Sequence, residues 1–360
     1  MKFLFSLVTI AMAATAMAET RPVLRAAPLD AREVSEPQDP VTDERPTGSD
    51  AVRVQIFLSE SMFGPGVIDG KPGRFTELAA RSWNERHGHP IDSWFALNTA
   101  ARQAVPNPYA VAVVPDAVEK WLDPTLPTSR AGQAERRRMS YRSVAEFMAE
   151  RYHASQNFLI ELNGADTVRS LKPRDTLLVP NVSPFRIEKE VTGEKHERAD
   201  ILSDRYVVVD TKMNQVRIFE GAPRAAIVVE ANHEGTISNL RPRPNEALVA
   251  SFPITPGQER FIEYGKFELR NMVEMPWWRF DQQFLDTGRR SDNALNIPPG
   301  PNSPVGVIWC GTSRSGIGLH GTDEPETIGR ARSAGCIRLS NWDAIRLPKL
   351  IRPGATIEIR

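Results

Sequence analysis

Gly316-Ile317-Gly318-Leu319-His320-Gly321-Thr322, followed by Ser333-Ala334-Gly335-Cys336-Ile337-Arg338-Leu339-Ser340-Asn341, is the stretch on which the reading of this chain turns. Of the six histidines, only His320 lies in an apolar, glycine-dense run that reads as a strand. Cys336 sits in a turn of small residues that leads into an apolar, strand-forming pair. Sixteen positions separate the two, enough for a strand, a loop and a second strand, which would bring the side chains together at a sheet edge. A thiol becomes a strong nucleophile when a neighbouring imidazole takes its proton. Gly335 lets the backbone turn sharply and lets a carbonyl approach, so the N–H groups of Gly335 and Cys336 are placed to form an oxyanion hole. The carbonyl of Gly321 is close enough in sequence to orient the imidazole through its other nitrogen.

The surrounding texture is β. Tyr206–Val209, Gln215–Phe219, Ala226–Val229, Ala247–Val249 and Thr356–Ile359 are short runs of strand-forming residues separated by turn residues. They predict a mainly-β sandwich or barrel over residues 204–360. One helix is expected over Trp342–Leu350, with Asn341 as its N-cap.

Taken together these motifs resemble the signature of the L,D-transpeptidase catalytic domain (YkuD type): His-Gly-Thr, a spacer, then Ser-x-Gly-Cys-(Ile/Val)-Arg. Ser251–Gly257 resembles the family's apolar-Pro-x-x-x-Gly strand, and Asn302, Pro304 and Gly306 before Trp309 resemble its Asn-Pro-x-Gly turn. Two positions depart: Ala334 stands where the family usually has His, and Tyr264-Gly265-Lys266-Phe267 where Thr-Pro-x-Gly-x-Phe is common. The resemblance implies that Cys336 is the nucleophile and His320 the proton donor and acceptor. Gly321 would orient His320, and Gly335 would supply an oxyanion N–H. It also implies that Ser333, Thr322, Arg338 and Trp278 serve substrate binding. Trp278 belongs to Pro276-Trp277-Trp278-Arg279-Phe280, within the stretch 274–296 that covers the cleft in the family. The implied reaction joins peptidoglycan stem tetrapeptides to an amine acceptor through a cysteinyl thioester. Hydrolysis on the same site, or wall binding without catalysis, are the alternatives. Cysteine proteases that place Cys before His in the chain have the opposite order.

Upstream, Gln55, Leu58, Gly66, Asp69-Gly70, Gly73, Thr76 and Trp83 resemble a small helical peptidoglycan-binding module, expected over 51–122. Residues 139–182 resemble a LysM module with strand–helix–helix–strand order, carried by Tyr141, Val144, Tyr152, Leu162-Asn163 and Leu171–Pro180. Arg174 stands where LysM usually has Gly. The fold class expected is therefore multidomain α+β, with glycan strands as an additional partner. Residues 19–50, 123–138 and 183–203 read as linkers.

Lys2, the apolar run Phe3–Ala14 and Ala16-Met17-Ala18 read as a secretory signal peptide over 1–18, which places the protein in the periplasm or another wall-facing compartment. Lys+Arg and Asp+Glu are both 45, so charge makes no case for nucleic acid. No segment of the mature chain is apolar enough to span a membrane. His and carboxylate residues do not cluster at metal-ligand spacing, and no metal or cofactor is expected. The second cysteine, Cys310, reads as a buried packing thiol.

Overall fold

The computed structural model describes residues 40–221, 246–287, 289–330 and 335–360. The signal-peptide segment 1–18, the Ala226–Val229 run, Ser333 and Ala334 lie outside the described residues. Helices α1 (Gly48–Glu60) and α2 (Arg74–His87) form the expected hairpin around a glycine-rich turn, and α3 (Phe95–Ala104) follows. Gly66 and Gly70 take φ of +85° and +70°, the left-handed region that side chains avoid. Gln55 of α1 holds this turn: its amide oxygen accepts from the Asp69 and Gly70 N–H groups at 3.1 and 2.9 Å. Gly88, at φ +72°, ends α2.

Strand β1 (Tyr109–Val113) leads through helix α4 (Arg130–Ala134) to helices α5 (Val144–Arg151), α6 (Gln156–Asn163) and α7 (Ala165–Arg169), then strand β2 (Thr176–Pro180). Ser143 and Ser155 cap α5 and α6 by accepting from the third residue on. Two expectations are corrected here. The strand expected at the start of 139–182 is only a single bridge, Leu122 to Tyr141; β2 pairs antiparallel with β1 instead, from Tyr109↔Pro180 to Val113↔Thr176. Tyr141 is buried and its hydroxyl bonds Glu150, which draws that backbone towards α5 rather than into a ladder. Residues 123–138 are not a solvated linker either. Leu126 and Met139 pack with Ile297 in a small core of their own. Arg174 has φ +73°, the backbone state in which glycine is the residue of least strain.

Strand β3 (Lys195–His196) lies in the segment read as the third linker and pairs with the later strand Gly265–Glu274, so that segment too is packed structure. The strands β4 (Tyr206–Asp210), β5 (Gln215–Glu220), β6 (Ala247–Pro253), β7 (Gly265–Glu274), β10 (Ile308–Thr312), β11 (Gly318–His320), β12 (Ile337–Arg338) and β13 (Thr356–Ile359) join in one nine-stranded sheet with β3. Its order is β12-β11-β10-β7-β13-β4-β5-β6. A separate hairpin pairs β8 (Trp278–Phe280) with β9 (Leu295–Ile297). The sheet curls until its ends meet: just beyond β6, Thr255 bridges Arg338 of β12, each N–H donating to the other's carbonyl at 2.9 Å. Of the sandwich and barrel expected, the described strands form the second, a single mainly-β sheet closed by one bridge. β4 and β5 belong to that sheet, and β4 pairs in parallel with the C-terminal β13.

The helix expected over Trp342–Leu350 is one short turn, Asn341–Ala344, followed by a 3-10 turn at Leu347–Lys349, because Pro348 cannot donate to a continuing helix. Its N-cap is Ser340, not Asn341; the Ser340 hydroxyl accepts from the Asp343 N–H.

The N-terminal helices pack directly on this sheet. The Gly64 N–H donates to Ser251 O at 2.7 Å and the Ser251 N–H to Met62 O at 3.0 Å. His153 stacks on Trp342 at 5.4 Å. Arg217 of β5 is only 2% exposed and pairs with Glu85 of α2. Burial disfavours both charges, pushing the carboxyl up and the guanidinium down, so each ion depends on the other. We expect Glu85→Ala to destabilise the protein by about 3–5 kcal/mol. The pair Glu85→Leu with Arg217→Met should recover most of that loss, read as urea midpoints.

Candidate active site

His320 sits on β11 and Arg338 on the adjacent parallel β12, directly opposite it; Leu319 faces Ile337. Cys336 immediately precedes β12, so it falls on the same face as Arg338 and His320, since alternate residues share a face. Both Cys336 and His320 line one cavity of about 590 Å³, with Arg338, Trp278, Trp309 and Gly316 among its walls.

Local structure fixes the imidazole. His320 is 4% exposed, and its Nδ1 lies 2.6 Å from the Gly321 carbonyl. A carbonyl only accepts, so Nδ1 carries the proton and Nε2 keeps the lone pair of a base. The Trp309 indole stacks on the ring at 5.6 Å and 17°, a face that favours an imidazolium once it forms. Burial pushes the imidazole down to about 4; the bond to Gly321 opposes this, and Arg338 adds to it.

The cysteine is half-buried, and its Sγ lies 3.4 Å from Gly316 O. Burial pushes the thiol up to about 11, opposed by the Gly318 N–H. Both shifts favour a neutral thiol and a neutral imidazole over a thiolate–imidazolium pair. Gly335 has φ +143°, which only glycine adopts without strain. Gly257 lies against it: a Cβ there would come within 2.3 Å of Gly335 Cα. The seam that closes the sheet thus also leaves no room beside the cysteine turn.

Asn341 supports the other side. Its Oδ1 accepts from the Val307 N–H at 3.1 Å, and its Nδ2 donates to Pro301 O at 3.1 Å and Glu150 Oε1 at 2.8 Å. Added Cβ atoms on Gly306 or Gly321 would each fall 2.2 Å from that same Oδ1. Glu150, from α5, is buried; its carboxyl is pushed up to about 8 by desolvation, against hydrogen bonds from Tyr141 and Asn341. A residue of the upstream helices therefore anchors the loop beside the histidine.

Among the expected site residues, Cys336, His320, Arg338 and Trp278 share the cavity wall, the Gly321 carbonyl holds His320 Nδ1, and Gly335 precedes Cys336 at φ +143°. Thr322 is corrected: it is fully buried, outside the cavity lining, and its hydroxyl accepts from the Glu324 N–H at 3.2 Å, which makes it a turn-forming residue. The 274–296 stretch forms the β8–β9 hairpin and contributes Trp277, Arg279, Asp281, Phe284 and Arg290 to the cavity. Asp281 pins that hairpin by accepting from Arg279, Phe284 N and Ser291, which hold its carboxyl well below the usual range. Sequence reasoning missed Arg130, which reaches the cavity from α4; the only signal was a basic residue in a stretch that reads as solvated.

Cys310 is fully buried in β10, and burial pushes its thiol up. Strand β11 lies between it and the Cys336 strand. Two strand spacings are about 10 Å, beyond disulfide reach. Away from the cavity, His196, Glu194 and Glu274 lie close together. The ring presents Nε2 to Glu274 at 3.0 Å and Nδ1 to Glu194 at 3.3 Å. Only the Nε2 contact is a hydrogen bond; Nδ1 stands at ion-pair distance from Glu194, and one ligand atom of each residue lies within 4.8 Å of the others.

A mainly-β sheet curled on itself, with a cysteine and a tautomer-fixed histidine opening on the cavity at its seam, defines a cysteine–histidine enzyme domain. Residues 226–359 match the sequence profile of the L,D-transpeptidase catalytic domain (YkuD), and the chain carries that enzyme domain. A Bacillus licheniformis protein provisionally named L,D-transpeptidase YkuD is 38% identical over 65 residues, 18% of this chain and 39% of the relative. One from Bacillus subtilis, provisionally named L,D-transpeptidase YqjB, is 25% identical over 162 residues, 43% of this chain and 71% of the relative. The chain thus spans well under two thirds of the first of these. Among solved structures, the L,D-transpeptidase from Mycobacterium smegmatis is 14% identical with a TM-score of 0.29, covering 44% of this chain and 58% of that one.

Because the thiol is raised to about 11, we expect Cys336 alkylation by iodoacetamide to accelerate roughly tenfold per pH unit between pH 7 and 9. Peptide mapping by mass spectrometry reads this, and a plateau near pH 8 would contradict it. Asn341→Ala removes the acceptor of the Val307 N–H and the donor to Glu150 Oε1, leaving Glu150 only its Tyr141 bond, and should cost about 1–3 kcal/mol in thermal denaturation.

Proposed function

We propose that this protein is a peptidoglycan L,D-transpeptidase acting on stem tetrapeptides from the wall-facing side of the membrane. The observation that carries the proposal is the shared cavity of Cys336 and His320, with His320 Nδ1 held on Gly321 so that Nε2 is the base.

In the first step the Cys336 thiol gives its proton to Nε2 as sulfur attacks the carbonyl that follows the third, diamino residue of the donor. The oxyanion takes hydrogen bonds from the Gly335 and Cys336 N–H groups. The C–N bond breaks, the proton passes from Nε2 to the departing D-Ala amine, and a thioester remains on Cys336. An acceptor amine then attacks the thioester, gives its proton to Nε2, and restores the thiol as the new amide forms. Water in place of the amine gives a carboxypeptidase on the same groups. The resting neutral pair suits this scheme, since proton transfer accompanies attack and a charged nucleophile need not wait in a desolvated cavity.

The extracytoplasmic location rests on the signal-like residues 1–18 and on a peptidoglycan substrate. No described helix is long and apolar enough to cross a membrane. The helical (51–122) and LysM-like (139–182) segments are assigned wall contact on their sequence resemblance. Their burial against the catalytic sheet supports a second task, shaping the cavity.

Incubation with disaccharide-tetrapeptide should yield crosslinked or amine-exchanged products, and Cys336→Ala should abolish them. Tripeptide as the sole product would replace transfer with hydrolysis. Because the imidazole stays neutral down to about 4, kcat/KM should keep its value below pH 6 and fall only as pH drops through about 4. An acid limb at pH 6.5 would sink that assignment of the base.

A further inference from the structure

The cavity wall carries an unusual charge balance. Arg130, Arg279, Arg290 and Arg338 line it, and Asp281 is the one acid among the described lining residues. That acid is already committed to Arg279 and to the Ser291 and Phe284 backbone. Beyond the lining residues, Asp323 and Glu324 act on Arg338, and Asp323 also feels Arg130. Burial and Glu324 push the Asp323 carboxyl up to about 6, so it is largely ionised at neutral pH, and the four guanidinium groups still outnumber Asp281, Asp323 and Glu324.

Arg130 is distinctive in its origin and its setting. It lies outside residues 226–359, at the start of α4. Its guanidinium stacks over Trp278 at 5.3 Å and over Phe280 at 5.8 Å. Nη1 donates to Gln133 Oε1 at 2.7 Å, a neutral partner. Among the described residues no carboxylate forms an ion pair with it. A guanidinium held by its faces keeps its in-plane N–H donors for a planar, bidentate anion. Its support is built for constancy, since Leu126, Met139 and Ile297 fix α4 to the β8–β9 hairpin that carries both rings.

We infer that Arg130 is a specificity-determining residue that binds a free carboxylate of the donor peptide. The upstream segment thereby completes the substrate site of the catalytic domain. The inference rests on reading the cavity as the acyl-donor site, and its test reads occupancy rather than turnover. The two carboxylates of a stem tetrapeptide that flank the reacting bond have this chemistry: the side-chain carboxylate of the third residue and the C-terminal carboxylate of the leaving D-Ala.

The experiment uses the full chain with Cys336→Ala, which cannot form the thioester. Calorimetric titration would compare the tetrapeptide with both carboxylates free, with the third residue amidated, and with the C-terminus amidated. One of the two amides should bind about tenfold more weakly than the free acid, which identifies the carboxylate. Adding Arg130→Gln should weaken the free acid about tenfold and leave that same amide unchanged. Arg130→Lys, which keeps the charge but loses the planar fork, should fall between. If Arg130→Gln weakens acid and amide equally, the residue merely braces the hairpin and the inference fails. It fails equally if the free acid binds no better than either amide, or if none of the three binds. Wild-type enzyme that forms no transfer product while these differences persist would overturn the proposed reaction and leave the carboxylate site standing.

Discussion

The pair of backbone hydrogen bonds between Thr255 and Arg338 is the constraint on which the catalytic half of this molecule depends. It joins the two ends of the curled sheet two residues from Cys336. Without it the β12 segment, only two residues long, would be held on one side by β11 alone. Thr255 contributes with its side chain as well, accepting from the Gly329 N–H at 2.7 Å. The same seam brings Gly257 against Gly335, so glycine is demanded at both positions by a single closure. A cysteine placed at a seam is rigid on its backbone side and open to the cavity on the other.

The second organising element is the buried polar chain from Tyr141 through Glu150 to Asn341. Such a chain contributes only when every member is satisfied, because an unpaired group in the interior costs more than a paired one stabilises. Here the members come from sequence segments far apart: Tyr141 from just before α5, Glu150 from α5, Asn341 from just after the cysteine strand. The loop that contains Gly306, and the strand end that contains His320 and Gly321, close around the Asn341 amide. Asn302 strengthens this clasp by donating to Ser140 O and Glu146 Oε1, both at 2.9 Å. The upstream region thus acts as masonry around the catalytic loops, which accounts for its burial against the sheet better than a tethered appendage does.

Much of this was legible in the amino-acid order. Four of the strand runs are strands, because β-branched runs bounded by turn residues encode a local backbone preference. That Cys336 and His320 line one cavity, and that Gly321 accepts from the imidazole, were also accessible, since each depends on residues close in sequence or on a dense motif. The errors have one origin. Thr322 follows the histidine and invites a substrate role, yet its hydroxyl turns back to the Glu324 N–H. Asn341 sits where an N-cap is expected, yet Ser340 caps and Asn341 reaches the long way to Glu150. Arg130 lies among polar and basic residues that read as solvated, yet packing of Leu126 and Met139 swings it over Trp278. In each case a partner distant in the chain, or a neighbouring donor equally able to serve, decided the outcome.

By itself, the sequence determined the chemistry available and the local backbone: which thiol and imidazole are present, where glycine permits left-handed φ, where strands begin and end. Tertiary structure alone decided the protonation states and the walls. Desolvation, which depends on everything packed around a group, drives the imidazole down and the thiol up. The cavity lining likewise depends on closure of the sheet and on docking of α4, contacts that no local periodicity encodes.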